Sequence, residues 1–160
     1  MLLHMRKLVS ISGVILLAIA ISSAARSDDS ASKGELVATV TNTRGDKGRV
    51  GCSLFNDSDP KAFPRDSDKS FKRMWAQIKG GTAACGFKDI PVGTYAIVVF
   101  QDEDMTGKMR NNFMGMPQEG FGFSQNPVVR FSAPSFSEAS FKYDGNHQTV
   151  PINLQYYGGK

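Results

Sequence analysis

The sequence has little of the chemistry on which most enzyme and metal sites depend. It contains two His and two Cys among 160 residues, and neither a C-x-x-C nor a G-x-S-x-G motif occurs. Zinc sites and Cys–His catalysis are therefore disfavoured, and a Ser hydrolase lacks its usual signature. One of the two His, His147, follows a predicted turn, where we expect it to be exposed. We expect a protein without enzymatic activity and keep a hydrolase as the weaker alternative.

A large excess of one charge is also missing. The chain has 19 Lys and Arg against 15 Asp and Glu, a net charge of +4. Two of the basic residues, Arg6 and Lys7, lie in a segment that we expect to be removed, which lowers the excess to +2. So small an excess gives no electrostatic footprint for nucleic acid. We therefore expect no nucleic-acid partner.

Long hydrophobic runs are confined to the N-terminus. Arg6 and Lys7 precede the apolar run Leu8–Ile21, and the small residues Ser23–Ala25 follow it. This order is typical of a cleaved signal peptide, and the run is shorter than the roughly 20 residues of a spanning helix. We predict a signal peptide over residues 1–25, a flexible lead-in over 26–33, and a secreted or periplasmic protein with no membrane span after cleavage. The alternative is an uncleaved N-terminal anchor.

The rest of the chain is dominated by strand patterns. Short runs of alternating or β-branched residues lie between turns that use many of the 16 Gly and 7 Pro. Strands are predicted at Glu35–Asn42, Arg49–Phe55, Thr82–Phe87, Thr94–Gln101, Pro127–Ser132, Glu138–Tyr143 and Thr149–Tyr156. About seven strands with regular turns favour an all-β fold, a single antiparallel β-sandwich over residues 34–157. A prealbumin-like or Ig-like Greek key would both fit this pattern.

The connections between these strands give further expectations. The first two strands form a hairpin in this interpretation, and the Asp144–Asn146 segment is a tight hairpin turn before the last strand. Phe71, Met74 and Trp75 have helical spacing, which predicts a short helix over Asp66–Ala76. Asp102–Gln118 has no strand periodicity and is expected to be one long irregular loop.

The two cysteines, Cys52 and Cys85, fall on different predicted strands. An even number of cysteines in an exported protein predicts a disulfide. Two separate buried thiols and a redox-active pair are the alternatives. The missing C-x-x-C spacing argues against the redox-active pair.

The start of the long loop offers oxygen ligands at alternate positions. Asp102, Asp104 and Thr106 precede Gly107, as in the first half of a calcium loop, and Glu119 could complete the set. Phe113 stands where such a loop ends in a bidentate acid, and Lys108 and Arg110 add opposing charge. We therefore favour a loop held by carboxylate hydrogen bonds, in which Asp102, Asp104 and Glu119 converge near Gly107, with no cofactor. Calcium binding is the alternative.

Aromatic residues gather around the end of this loop. Phe113, Phe121 and Phe123 could form an exposed platform for a glycan or an envelope protein. Alternatively, they fill the end of the sandwich beneath the loop. Phe71 and Trp75 allow the same two interpretations.

Several of these segments together resemble one protein family. They are Pro91–Ile97, Phe100–Asp104, Met114–Ser124 and Ala133–Ala139. The patterns P-x-G-x-Y-A and G-x-P-x-E-G-x-G-F-S resemble the bacterial domain-of-unknown-function family 2141, whose members are exported proteins without an established activity. Gln101 stands where the family commonly has His.

The resemblance has one structural and one functional implication. The P-x-G-x-Y element is similar to that of transthyretin-like and carboxypeptidase-regulatory-like sandwich domains, which implies a similar sandwich here. Those domains are usually accessory or structural, although a fold does not carry a function with it. We therefore expect an exported, non-enzymatic binding or structural module of the cell envelope. A calcium-dependent carbohydrate- or protein-binding domain that uses the 102–119 loop is the alternative.

Overall fold

The computed structural model describes residues 34–157. The predicted signal peptide at 1–25 and the predicted lead-in at 26–33 lie outside the described residues. Within 34–157, no helix has both the length and the apolar character needed to cross a bilayer.

The described chain is built mainly of short strands. In order they are β1 (Leu36–Thr41), β2 (Arg49–Asn56), β3 (Lys72–Gln77), β4 (Ala83–Phe87), β5 (Gly93–Asp102), β6 (Phe121–Phe123), β7 (Phe141–Tyr143) and β8 (Gln148–Asn153). A 3-10 turn at Ser67–Lys69 and a short helix α1 at Phe136–Ala139 complete the elements of the described residues. The predicted all-β class is confirmed.

These strands form two sheets. One has three strands in the order β4-β1-β8, and the other has the order β3-β2-β5-β6, with β7 also paired to β5. β6 pairs with the second half of β5 and β7 with its first half, so the two short strands share one side of β5. The sandwich is not wholly antiparallel as predicted, because β1 and β8 run parallel, with Leu36 opposite Gln148.

The main core lies between the sheets. Alternate residues of β1, β2 and β5 point inward, as the burial of Leu36, Leu54 and Ile97 shows. Cys52 on β2 and Cys85 on β4 are joined by a disulfide, with their Cα atoms 6.5 Å apart. The predicted pairing is therefore supported, and the bridge ties one sheet to the other through the core.

A second apolar cluster covers the outer face of the five-stranded sheet. Phe55 and Ala96 from the sheet pack there with Phe63 and with Phe136 of α1. Phe63 meets Phe55, Phe123 and Phe136 edge to face. Both faces of this sheet are thus buried in part, which explains the almost continuous apolar sequence of β5.

The predicted helix over Asp66–Ala76 is wrong. Only the 3-10 turn lies there among the described elements, and Lys72–Gln77 forms β3. Helical spacing of Phe71, Met74 and Trp75 was misleading because these side chains lie on the two faces of a strand. Met74 packs on the inner core, while Trp75 packs against Phe100 on the outer face.

Of the other predicted strands, one is wrong and one is wrong in part. Pro127–Ser132 lies in a loop, and the strand that pairs there with β5 is β6, Phe121–Phe123. The predicted strand Glu138–Tyr143 begins as α1 and becomes β7 at Phe141. Ser135 and Glu138 form a capping box at the start of α1, and this polar pair is the local signal for a helix.

Neither predicted hairpin exists. β1 and β2 belong to different sheets, and so do β7 and β8. The turns were recognised correctly, but each one carries the chain across the sandwich. In the P-x-G-x-Y element, the Tyr95 hydroxyl donates to the Pro91 carbonyl at 2.9 Å.

Candidate functional site

A groove runs over the outer face of the five-stranded sheet. Its floor follows the strand register: Arg73 on β3 lies opposite Ser53 on β2, Ser53 lies opposite Val98 on β5, and Val98 lies opposite Phe123 on β6. All four residues line the groove. The floor is therefore polar and cationic at β3 and apolar at β6.

The next row of the sheet is aromatic. It crosses the four strands from β3 to β6 as Trp75, Gly51, Phe100 and Phe121, each opposite the next. Gly51 is needed there, because a Cβ would come within 2.6 Å of the Trp75 ring and 2.8 Å of the Phe100 ring. Those two rings meet edge to face over the glycine, with centroids 5.7 Å apart.

Three loops form the walls of the groove. Pro64, Arg65 and Ser67 form one wall, just before Asp68, which pairs with Arg73 of β3. The long loop contributes residues between Gly107 and Pro117, and the segment around Val129–Ala133 contributes a third wall. Tyr157 closes the β6 side and stacks on Phe121 at 5.2 Å between centroids. We name this cavity the outer groove. Its volume of about 520 Å³ lies within the range of sites for small molecules.

The outer groove has a charge of one sign. Arg65, Arg73 and Lys108 line it, and no Asp or Glu does. Arg73 is paired with the exposed Asp68 at 2.9 Å. Within residues 34–157, the side chains of Arg65 and Lys108 make no ion pair or hydrogen bond. They are thus available to an anionic group of a ligand.

The long loop is fastened to the sheet by buried carboxylates beside the groove. Asp102, the last residue of β5, is fully buried and accepts from Arg49 Nε at 2.9 Å and from the Gly107 amide at 3.0 Å. Gly107 has φ +78°, a conformation that favours glycine. The Arg49 guanidinium also lies 3.8 Å from the centre of the Trp75 ring.

Glu119 fastens both ends of the same loop. It is fully buried, and its two oxygens accept from the amides of Glu103 and Arg110, each at 3.0 Å. Arg110 Nε lies 3.3 Å from Glu119 Oε1 and 3.2 Å from Asp104 Oδ2. The Thr106 hydroxyl donates to Asp104 at 2.8 Å and lowers the pKa of that carboxyl below its usual value. We call Asp102, Asp104 and Glu119 with Arg49 and Arg110 the loop clamp.

The predicted convergence of Asp102, Asp104 and Glu119 is therefore found. One oxygen of each lies within 4.8 Å of the others, and these are the residues that could hold a cation. Two guanidinium groups already neutralise two of these three charges, and the Thr106 hydroxyl is bonded to Asp104. One observation favours a further cation: Asp102 Oδ1 is buried without a hydrogen-bond partner in the described chain.

The three phenylalanines considered as a possible exposed platform do not form one. Phe113 is 96% exposed at the tip of the long loop, whereas Phe121 and Phe123 are 5% and 4% exposed. Burial of the last two agrees with the packing alternative, because they belong to the second apolar cluster. They also reach the floor of the outer groove, which Phe113 does not line.

Sequence reasoning missed the cationic side of the groove. Arg65 and Lys108 stand in loops, and nothing in their local sequence distinguishes them from solvated charges. A signal for the floor was present, since the uninterrupted apolar run of β5 from Ala96 to Phe100 indicates that both faces are covered.

Comparison with known proteins adds one finding. No curated protein and no solved structure matches the chain significantly. The profile of a bacterial family, described as uncharacterised proteins conserved in bacteria, matches residues 38–151, which include most of both sheets and the floor of the groove. The chain belongs to this family, domain of unknown function 2141.

Proposed function

We propose that this protein is an exported, non-enzymatic binding module and that its ligand occupies the outer groove. The observation that carries the proposal is the groove itself, about 520 Å³ of space on a sheet face, with a floor that is aliphatic and aromatic over β5 and β6. Ligand sites are typically concave, mainly apolar, and supplied with a few polar groups. The outer groove has this composition.

The position of the groove supports the proposal. Its floor belongs to four paired strands, and the loop clamp fixes one wall by buried charged hydrogen bonds. A rigid floor and a fastened wall reduce the conformational entropy lost on binding. Phe131 in another wall is 98% exposed, so a ligand in the groove would gain by covering this large apolar side chain.

Two further features support the other parts of the proposal. The disulfide between Cys52 and Cys85 is typical of proteins in oxidising compartments outside the cytosol. His147 is exposed in the turn before β8 and does not line the groove, so it is not placed beside a bound ligand as a general base would be.

The test is binding of a neutral apolar fluorophore, N-phenyl-1-naphthylamine. We expect its emission to rise with the protein, and we expect Phe131→Ser to weaken binding about threefold or more through lost apolar contact. Trp75, the one tryptophan of the chain, packs on Phe100 of the groove floor and gives a second signal.

Phe113→Ser is the matched control. Phe113 and Phe131 are the same residue type, with exposures of 96% and 98%, but only Phe131 lines the outer groove. Equal loss of binding in both variants, or no binding by the parent protein, would contradict the proposal.

A calcium-dependent carbohydrate- or protein-binding domain is the second candidate. The unpartnered Asp102 Oδ1 favours it, because a buried carboxylate oxygen ordinarily has a hydrogen bond or a cation. Calcium would be held by Asp102, Asp104 and Glu119, and Arg110 would have to move from between the last two. Calorimetric titration with calcium tests this candidate.

A further inference from the structure

We infer that the ligand of the outer groove is a single-chain anionic amphiphile, with its acidic head at β3 and its hydrocarbon chain over β5 and β6. This inference rests on the proposed function and specifies the chemistry of the ligand. It is carried by the change of character along the groove floor and by the sign of the charges around it.

The floor changes from cationic to apolar across the sheet. Arg73 and Ser53 occupy β3 and β2, whereas Val98 and Phe123 occupy β5 and β6 in the same row. Neighbouring strands lie about 4.8 Å apart, so the row is about 14 Å long from β3 to β6. An extended ligand with one polar end and one apolar end matches this order.

The polar end is equipped for an anion. Arg65 lines the groove three residues before Asp68, which pairs with Arg73 of β3. Lys108 follows Gly107, where an added Cβ would lie 3.8 Å from the Trp75 ring of β3. Neither cation has an ion pair among residues 34–157. Ser53 is 8% exposed, lines the groove and has no hydrogen bond from its hydroxyl in the described chain. A carboxylate would gain charge-assisted hydrogen bonds from these groups.

The apolar end has several aliphatic and aromatic neighbours. Met109, Val129 and Tyr157 pack against the cluster that contains Phe121 and Phe123, and Met116 also lines the groove. Methionine side chains adapt their shape to irregular apolar ligands. A flexible hydrocarbon chain would bury its surface here without leaving a polar group unpaired.

The experiment compares three ligands of equal chain length on the purified protein. Dodecanoate, dodecanol and dodecyltrimethylammonium, each below its micellar concentration, compete with N-phenyl-1-naphthylamine or are titrated by calorimetry. Dodecanoate should bind about tenfold more tightly than dodecanol, and the cationic ligand most weakly. The advantage of dodecanoate should decrease with added salt, because the cations are exposed.

The variant Arg65→Gln/Lys108→Gln should bind dodecanoate about three- to tenfold more weakly and should bind dodecanol with unchanged affinity. Lys47→Gln/Lys79→Gln removes the same charge from exposed positions outside the groove and should leave both ligands unchanged. This control separates a local contact from the net charge of the protein.

The outcomes distinguish the two levels of the argument. Equal affinity for the three ligands, or loss of dodecanoate binding in the control variant, overturns the inference while the proposed function stands. Failure of the fluorophore and of all three ligands to bind overturns both. Binding to phosphatidylglycerol vesicles without binding of monomeric dodecanoate also overturns the inference, in favour of a membrane surface.

Discussion

Removal of the Glu119 carboxylate should destabilise the protein more than any substitution of an exposed acid. Glu119 is fully buried and accepts from two backbone amides at 3.0 Å and from Arg110 Nε at 3.3 Å. Glu119→Ala leaves both amides without an acceptor, whereas the exposed Arg110 side chain retains Asp104 at 3.2 Å. Each unsatisfied buried donor costs about 1–3 kcal/mol, which makes about 2–6 kcal/mol for the two amides. We expect a loss of that size in the free energy of unfolding.

Glu119→Gln should be milder and chemically informative. Glutamine retains the volume and one acceptor oxygen, but its NH₂ would face an amide N–H that now lacks a partner. One unsatisfied buried donor costs about 1–3 kcal/mol. The order of stability should therefore be Glu119, then Gln, then Ala.

Urea unfolding measures the loss in unfolding free energy for Glu119→Ala and for Glu119→Gln. Hydrogen exchange then identifies the amides that each variant exposes. The amides of Glu103 and Arg110, which donate to Glu119, should lose protection before the amides of β2 and β5. Gln118→Ala is the control, because Gln118 is exposed and its side chain makes no hydrogen bond in the described residues. It should change stability by less than about 0.5 kcal/mol.

The loop clamp also fixes one wall of the outer groove. Glu119→Ala should therefore weaken binding of the fluorophore even under conditions where the protein remains folded. If Glu119→Ala unfolds at the same urea concentration as Gln118→Ala, or keeps the Glu103 and Arg110 amides protected, our account of the loop is wrong.

Three other predictions concern separate parts of the molecule. Reduction of the disulfide, which spans 33 residues, should cost roughly 3–4 kcal/mol in urea unfolding, and an unchanged midpoint would refute its structural role. The amides of Gly81 and Gly80 lower the pKa of Asp46 in the folded state, so the stability that Asp46 contributes is present above its unfolded pKa and is lost as the pH falls through the folded pKa. Asp46→Asn should therefore make the unfolding free energy less dependent on pH between about pH 5 and 2. Parallel curves of stability against pH for the parent and the variant would contradict this. Calorimetry with calcium should give no heat if Arg49 and Arg110 suffice for the loop clamp, whereas heat that disappears in Asp102→Ala/Asp104→Ala would establish a calcium site instead.

Strand positions could be predicted well where the pattern was local. β1 and β5 were found within a residue or two, because Leu36 and Val40 alternate with polar residues and Thr94–Gln101 is rich in β-branched side chains. Pairing could not be predicted, because the same turn can join a hairpin or carry the chain to the other sheet. The error at β3 has a similar cause: Phe71, Met74 and Trp75 satisfy helical spacing and also a strand that is partly covered on both faces.

The loop clamp and the outer groove differ in how much the sequence could reveal. Asp102, Asp104 and Glu119 were recognisable because carboxylates at alternate positions around a glycine have few explanations. The groove depends on register, since Arg73, Ser53 and Val98 are far apart in the chain and meet only across strands. Arg65 and Lys108 become informative only when the structure shows that they have no acidic partner among residues 34–157.

The parallel pairing of β1 with β8 sets the order in which the fold can be completed. β1 is the middle strand of the three-stranded sheet, and one of its two neighbours is Gln148–Asn153, more than 100 residues away. When the chain emerges N-terminus first, one edge of β1 stays unpaired until β8 has been synthesised. Such distant closure makes folding slow, and an unpaired edge invites other chains. A chain cut before Gln148 should therefore aggregate, although most of the five-stranded sheet is present in it.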